Sequence, residues 1–234
     1  MKTLQNQIAI VTGASSGIGR ATARQLIAQG AKVALFARGQ EKLDTLAAEL
    51  RATGGTVLPL SVDVTDEAAV NAATARVEAE LGQVDLLVNA AGVGFATDLS
   101  RCALADFRRI FDTNVTGVFL CTRAVIGKMR ERKSGHVINI SSIAGKTANP
   151  TAPLYCASKA ALNSYTSGLQ QQVAADRVRV SNVSPASTDT AYWDGRNADR
   201  SKFLTADEVA AVVLFVARQP DGVLIKDVDL AAQR

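Results

Sequence analysis

Residues 12–19 read Thr12-Gly13-Ala14-Ser15-Ser16-Gly17-Ile18-Gly19. They join an apolar run, Gln7-Ile8-Ala9-Ile10-Val11, to a helix-like stretch, Arg20-Ala21-Thr22-Ala23-Arg24-Gln25-Leu26. Glycine weakens both strands and helices, so three of them at one joint need a reason. A strand, a glycine-rich turn and a helix start together make an anion site. The first helical N–H groups lack partners, and the helix dipole favours negative charge there. The spacing is G-x-x-x-G-x-G, which is not G-x-G-x-x-G; nor is it a P-loop, because no Lys-Ser/Thr follows Gly19. By itself the pattern fits a tight turn as well as a phosphate loop.

Outward from this joint, strand-like and helix-like segments alternate. Short β-rich runs fall at 7–12, 32–37, 56–62, 84–89, 135–141 and 178–183, with a weaker one near 223–230. Helical periodicity occupies 17–29, 40–53, 66–81, 103–132, 152–175 and 205–218. Such alternation implies βαβ units and a parallel sheet covered on both faces. The expected fold is α/β, a Rossmann-like doubly wound sheet of about seven strands. The chain has 234 residues, 47% of them hydrophobic, with no repeat, low-complexity tract or Pro/Gly linker, so 1–234 reads as one domain. The least regular stretch, 184–204, holds the one tryptophan and follows a predicted strand, where ligands bind in such sheets.

Composition removes several classes of function. The 26 Lys+Arg and 22 Asp+Glu leave a formal charge of +4, spread along the chain. The densest basic cluster, Lys128-Met129-Arg130-Glu131-Arg132-Lys133, reads as a helix end, where cations complement the dipole, and not as a nucleic-acid site. Cys102, Cys121 and Cys156 form no CxxC pair, and His136 is the one histidine, which argues against a zinc site or a His-based triad; no metal is expected. An odd cysteine count fits free thiols in a reducing compartment. There is no signal-peptide pattern and no run of membrane-spanning length, so the expectation is a soluble, cytoplasmic protein with no membrane partner.

A second stretch bears on chemistry: Tyr155-Cys156-Ala157-Ser158-Lys159. On the predicted helix 152–175, positions i and i+4 share a face. Free phenol titrates near ~10, and a neighbouring ammonium favours the phenolate and lowers that value. Such a pair suits acid–base work, although a surface Tyr/Lys pair looks the same in sequence.

Taken together, these stretches resemble the short-chain dehydrogenase/reductase family, and the likeness runs along nearly the whole chain. Thr12–Gly19 is similar to its cofactor turn. Asn89-Ala90-Ala91-Gly92 is similar to its NNAG element, with alanine at the second position. Asn114, in Thr113-Asn114-Val115-Thr116-Gly117, matches its helix asparagine. Ser142 lies thirteen residues before Tyr155, the spacing of the family's serine, whereas the adjacent Ser141 does not. The resemblance implies an oxidoreductase that moves a hydride between a nicotinamide and a carbonyl–alcohol pair. It implies catalytic roles for four residues. Tyr155 is the proton donor, Ser142 the hydrogen-bond donor to the substrate oxygen, and Lys159 lowers the Tyr155 pKa and binds the nicotinamide ribose. Asn114 holds a water in a proton relay, or mends a helix irregularity, or both.

The same resemblance places the cofactor. Gly13, Ser15, Ser16, Gly17, Ile18 and Gly19 face the pyrophosphate, Asp63 and Val64 the adenine, and Asn89, Ala90 and Gly92 the middle of the dinucleotide. Pro185, Thr188 and Thr190, with Tyr155 and Lys159, lie at the nicotinamide end. Asp63 also reads as a turn residue before Thr65-Asp66. Strand two ends Leu35-Phe36-Ala37-Arg38: the position of an NAD-type acid is alanine, and an arginine follows, which implies NADP(H) over NAD(H). The family commonly has Pro-Gly after strand six; here Pro185-Ala186 stands, which puts the local loop geometry in doubt. Tyr192 and Trp193 are candidates to cover the substrate beside Ser142 and Tyr155; Arg196 and Arg200 read as solvated loop charges or as partners for a substrate carboxylate.

The C-terminal segment resembles the branch acting on small 3-hydroxy acids and related carbonyls. A 3-oxoacyl-[acyl-carrier-protein] reductase is the alternative, and a catalytically silent dinucleotide sensor a third reading. Helices 103–132 and 152–175 are apolar over a wide arc, and the family pairs them across a two-fold axis. A homo-oligomer, dimer or tetramer, is therefore expected.

Overall fold

The computed structural model describes residues 1–195 and 197–233. Its strands are β1 (Ile8–Thr12), β2 (Lys32–Ala37), β3 (Val57–Ser61), β4 (Leu86–Asn89), β5 (His136–Ile140), β6 (Arg179–Pro185), β7 (Thr188–Asp189), β8 (Leu204–Thr205) and β9 (Asp227–Leu230). The helices are α1 (Gly17–Ala28), α2 (Gln40–Ala52), α3 (Glu67–Glu80), α4 (Leu104–Phe111), α5 (Gly117–Glu131), α6 (Pro153–Val173) and α7 (Ala206–Ala217). Seven strands form one parallel sheet in the order β3-β2-β1-β4-β5-β6-β9, the Rossmann-like architecture expected.

Side-chain alternation builds the two layers. Along β1, Ala9 and Val11 pack into one buried cluster with Leu26 of α1, Leu46 of α2 and Val213 of α7. Ile8 and Ile10 pack into the other with Val77 of α3, Val125 of α5 and Leu169 of α6. Pro59 cannot donate to a ladder, and it stands in β3, at the sheet edge, where its missing N–H costs no strand bond.

Three features depart from the sequence reading. The predicted helix 103–132 is broken: Asp112–Thr116 is a π-helical turn between α4 and α5, with Asn114 buried at its centre. The stretch 184–204 is not wholly irregular, because β7 and β8 pair in parallel across it. Helix α6 ends at Val173 and runs into a 3₁₀ turn at Ala174–Asp176. The basic cluster does end α5: Lys128 pairs with Glu78, Arg130 with Asp176 and Arg132 with Asp85. All three cysteines are free. Among the described residues no helix is long and apolar enough to cross a membrane, and no group of His, Cys, Asp or Glu is placed to hold a metal ion.

His136, on β5, is buried far from the cleft described below. Ser181 Oγ gives its proton to the Ile225 carbonyl at 2.6 Å, so His136 Nε2, 2.8 Å away, must be the donor of their shared bond. That leaves Nδ1 as a buried acceptor with no hydrogen-bond partner. Burial, with the Arg179 and Lys2 charges, pushes the imidazole well below its ordinary pKa. The unfolded chain therefore takes up a proton before the folded chain does. Stability is expected to fall by about 1.4 kcal/mol per pH unit once the pH drops below ~6.5. Urea midpoints between about pH 7 and 5.5 check this. A His136→Gln chain, whose loss cannot be titrated, should show a flatter profile; an equal slope in both chains would assign the acid sensitivity elsewhere.

Candidate active site

The strand order reverses direction between β1 and β4, and a cleft of about 1460 Å³ opens at the carboxyl ends of the strands around that point. The turn after β1 forms one wall. Gly13 has φ 65°, and a Cβ there would come within 2.9 Å of the Ala90 carbonyl oxygen. A Cβ on Gly19 would lie 2.5 Å from the Gly13 carbonyl oxygen, so only glycine lets α1 start this close to the turn. Thr12 ties the wall to the next loop: its hydroxyl accepts from the Ala90 and Ala91 N–H groups, each at 3.0 Å. Across the cleft, Thr190 Cγ2 would sit 3.0 Å from a Cβ on Gly17. The glycine turn and the segment after β6 thus come into close contact at Gly17 and Thr190, both line the same cleft, and α1's first N–H groups lie at its edge.

The other end holds the acid–base groups. Tyr155 and Lys159 stand one turn apart near the start of α6, and both line the cleft. Lys159 Nζ lies 5.8 Å from the Tyr155 ring centroid and donates to the Ile140 carbonyl at 2.8 Å. Burial pushes the Lys159 ammonium down to about 8, so at neutral pH it remains mostly protonated beside the phenol. The two serines both line the cleft but spend their hydroxyls differently. Ser141 Oγ donates to Asn163 Oδ1 at 2.6 Å, in a network that includes Asn182, and this fixes α6 to the sheet. Ser142 lines the cleft; its hydroxyl donates to the Pro185 carbonyl at 3.3 Å and accepts from the Ala144 N–H at 3.1 Å.

Two of the residues expected to act in catalysis or bind the cofactor, Asn89 and Asn114, do not line the cleft. Asn89 turns under the sheet and donates to Asn139 Oδ1 at 2.9 Å and Thr122 Oγ1 at 3.2 Å. Asn114 clamps the loop after β4: Oδ1 accepts from the Val93 N–H and Nδ2 donates to the Val93 carbonyl, both at 2.8 Å, and Nδ2 also reaches Ser158 Oγ at 3.0 Å. The π turn is what swings Asn114 inward, a common use of such turns. The remaining expected residues line the cleft: Ser15, Ser16, Gly17 and Ile18 with the two outer glycines, Arg38, Asp63 and Val64, Ala90 and Gly92, and Pro185, Thr188, Thr190, Tyr192 and Trp193.

Asp63 keeps both of its readings open. Burial raises its pKa, but the Thr65 N–H and hydroxyl bonds, with the Arg38 charge, outweigh that and hold it below the ordinary carboxylate range. Both Thr65 bonds go to Oδ1, at 3.0 and 2.8 Å. Ala186 also resolves simply. It is not among the positive-φ residues, so alanine stands there without strain, and its N–H donates to the Leu230 carbonyl at 2.8 Å.

The covering loop is ordered by contacts that sequence could not show. Rings run Tyr155–Tyr192–Trp193–Phe203 at centroid spacings of 5.8, 5.2 and 4.7 Å. Arg200 bonds Asp189, Asp194 at 3.0 Å and the Thr190 carbonyl at 3.1 Å; it is a clasp within the loop and not a ligand for a carboxylate. Arg196 lies outside the described residues. Sequence reasoning also missed Gly94, Phe95 and Arg109. A Cβ on Gly94 would meet the Tyr155 ring at 2.5 Å and the Tyr192 ring at 2.8 Å, so its bare backbone forms one side of the reaction site.

An open parallel sheet with a glycine-turn phosphate cradle and a Tyr/Lys/Ser set at the far end of one cleft defines a dinucleotide-dependent oxidoreductase. The chain belongs to the family described as short chain dehydrogenase, which matches residues 7–201. It is 36% identical over 233 residues, 96% of its length and 94% of the relative's, to a 3-oxoacyl-[acyl-carrier-protein] reductase of Synechocystis. Among solved structures, a metagenomic short-chain oxidoreductase in complex with NADP superposes with a TM-score of 0.88 at 35% identity, covering all of both chains. The closed form of a serine dehydrogenase complexed with NADP+ gives 0.88 at 32%, covering 96% of this chain and 94% of that one.

Proposed function

We propose that this oxidoreductase uses NADP(H) to interconvert a small carbonyl and its alcohol, on a ketone, aldehyde or 3-oxo/3-hydroxy acid. The observation that carries the reading is the meeting of Ser142, Tyr155 and Lys159 at one end of a cleft whose other end is the glycine turn. When bound, the nicotinamide supplies the hydride. Tyr155 gives its phenolic proton to the carbonyl oxygen, and Ser142 donates a hydrogen bond to the same atom and orients it. Lys159 favours the phenolate that remains and offers N–H groups to the ribose hydroxyls. Asn114 is a positioning residue, holding the Val93 turn and with it Gly94 against the Tyr155 ring. Arg38, with no carboxylate at position 37, supports a preference for the 2′-phosphate, and the NADP found in two similar structures agrees with it.

A spectrophotometric NADPH-oxidation screen over ketones, aldehydes, 3-oxo acids and 3-oxoacyl thioesters tests the reading. Fastest turnover of the thioesters would move the assignment to a carrier-protein reductase, the reading that the Synechocystis relative favours. NADPH binding with no turnover of any member would leave a dinucleotide sensor.

The chain is proposed to act as one Rossmann unit over 1–234, in the cytoplasm, as a homo-oligomer. Phe119 of α5 and Phe215 of α7 leave large apolar surface in the isolated chain. Light scattering at micromolar concentration should give at least twice 24.5 kDa; a mass near 24.5 kDa would refute assembly.

A further inference from the structure

Arg109 is a cation at the reacting end of the cleft to which the reaction above gives no part. It projects from α4, lines the cleft, and places its guanidinium carbon 5.6 Å from the centroid of the Phe95 ring. Phe95 follows Gly94, the residue packed against the Tyr155 and Tyr192 rings, so this cation stands beside the wall of the reaction site. Asp106 lies at i−3 and Asp112, the first residue of the π turn and itself a cleft-lining residue, at i+3, a spacing at which helix ion pairs form. Among the described residues Arg109 pairs with neither; Asp106 accepts from the Ala103 N–H at 3.3 Å instead.

The other cations are placed differently. Arg38 and Lys42 line the cleft at the end of β2 and the first turn of α2, and Lys159 is taken by the Ile140 carbonyl. Arg200 is closed by Asp189 and Asp194. A guanidinium lying on an aromatic face keeps its N–H edge directed outward, ready for the two oxygens of a carboxylate.

We propose that Arg109 receives the carboxylate of a substrate whose carbonyl carbon reacts beside Tyr155, and that the enzyme thereby selects small oxo acids and hydroxy acids over their neutral counterparts. This rests on the carbonyl–alcohol reading above. Arg109 touches no reacting atom; it sets specificity by binding the far end of the substrate.

The test uses the full chain with saturating NADPH and two matched pairs, 3-oxobutanoate with its methyl ester and 4-oxobutanoate with its methyl ester. Wild-type kcat/KM is expected to favour at least one acid over its ester by about tenfold or more. Arg109→Gln should lose that preference through a raised KM for the acid, with ester turnover and the NADPH dissociation constant unmoved, and Arg109→Lys should restore part of it. Absence of an acid preference in the wild type overturns the proposal, as does an equal loss for acid and ester in Arg109→Gln. A weakened NADPH affinity with the acid-to-ester ratio retained would place the arginine on a cofactor phosphate, and also overturns it. No turnover of any carbonyl at all is a different result, the failure of the carbonyl–alcohol reading itself.

Discussion

Replacing Tyr155 by Phe is expected to lower kcat by about 10²–10⁴-fold, the usual worth of a positioned general acid, while leaving the NADPH dissociation constant unchanged. The substitution removes one oxygen and keeps the ring. The packing of that ring against Gly94 and Tyr192 survives, and so does the helix turn that carries Lys159. Lys159 holds its place through the Ile140 carbonyl, which owes nothing to the phenol, so the groups offered to the ribose stay where they are. Single-turnover rates under saturating cofactor isolate the chemical step. A variant retaining more than roughly a tenth of the wild-type rate with chemistry limiting would remove Tyr155 from the role of acid.

Arg38→Asp is expected to lower the ratio of kcat/KM for NADPH over NADH by about 10²–10³-fold. Three effects act together: a charge-assisted partner of the 2′-phosphate is lost, a like charge is set against it, and an acceptor appears for the 2′-hydroxyl of NADH. The fold should tolerate the change, because Arg38 is exposed and the bond it accepts from Ser61 Oγ at 3.0 Å goes to its backbone carbonyl. An unchanged ratio would move phosphate recognition to Ser15 or Lys42, both of which line the cleft. Arg20 is a weaker candidate, since it does not line the cleft and its guanidinium lies 3.7 Å from Glu49.

The two sets of expectations differ in how local their causes are. Strand and helix alternation was legible because helices show their period while strands buried on both faces, such as β1 and β2, read as continuous apolar runs of five or six residues. The phosphate turn was legible because three glycines within seven residues stand out between a strand and a helix, although the contacts that require Gly13 and Gly17 come from Ala90 and Thr190, far along the chain. Tyr155 and Lys159 share a face because four residues of helix put them there.

What remained hidden depends on partners far along the chain. Sequence spacing singled out Ser142 over Ser141, but Asn163, some twenty residues on, is what occupies the Ser141 hydroxyl. Asn89 reads as a cofactor residue, yet Asn139 and Thr122 draw its amide beneath the sheet. Asn114 sits in a helical pattern, and only its two-sided bond to Val93 makes the helix bulge there. Arg200 looked like a loop charge available to a ligand until Asp189 and Asp194 closed on it, while Arg109 carried no signal in the sequence, and its place beside Phe95 at the cleft is seen in the structure alone. The sequence by itself determined the alternating layers, the phosphate turn and the Tyr/Lys pair, because periodicity and short spacings encode them. Tertiary structure alone decided which polar side chains face the cleft, because a hydrogen bond is chosen by distances in space that no local pattern carries.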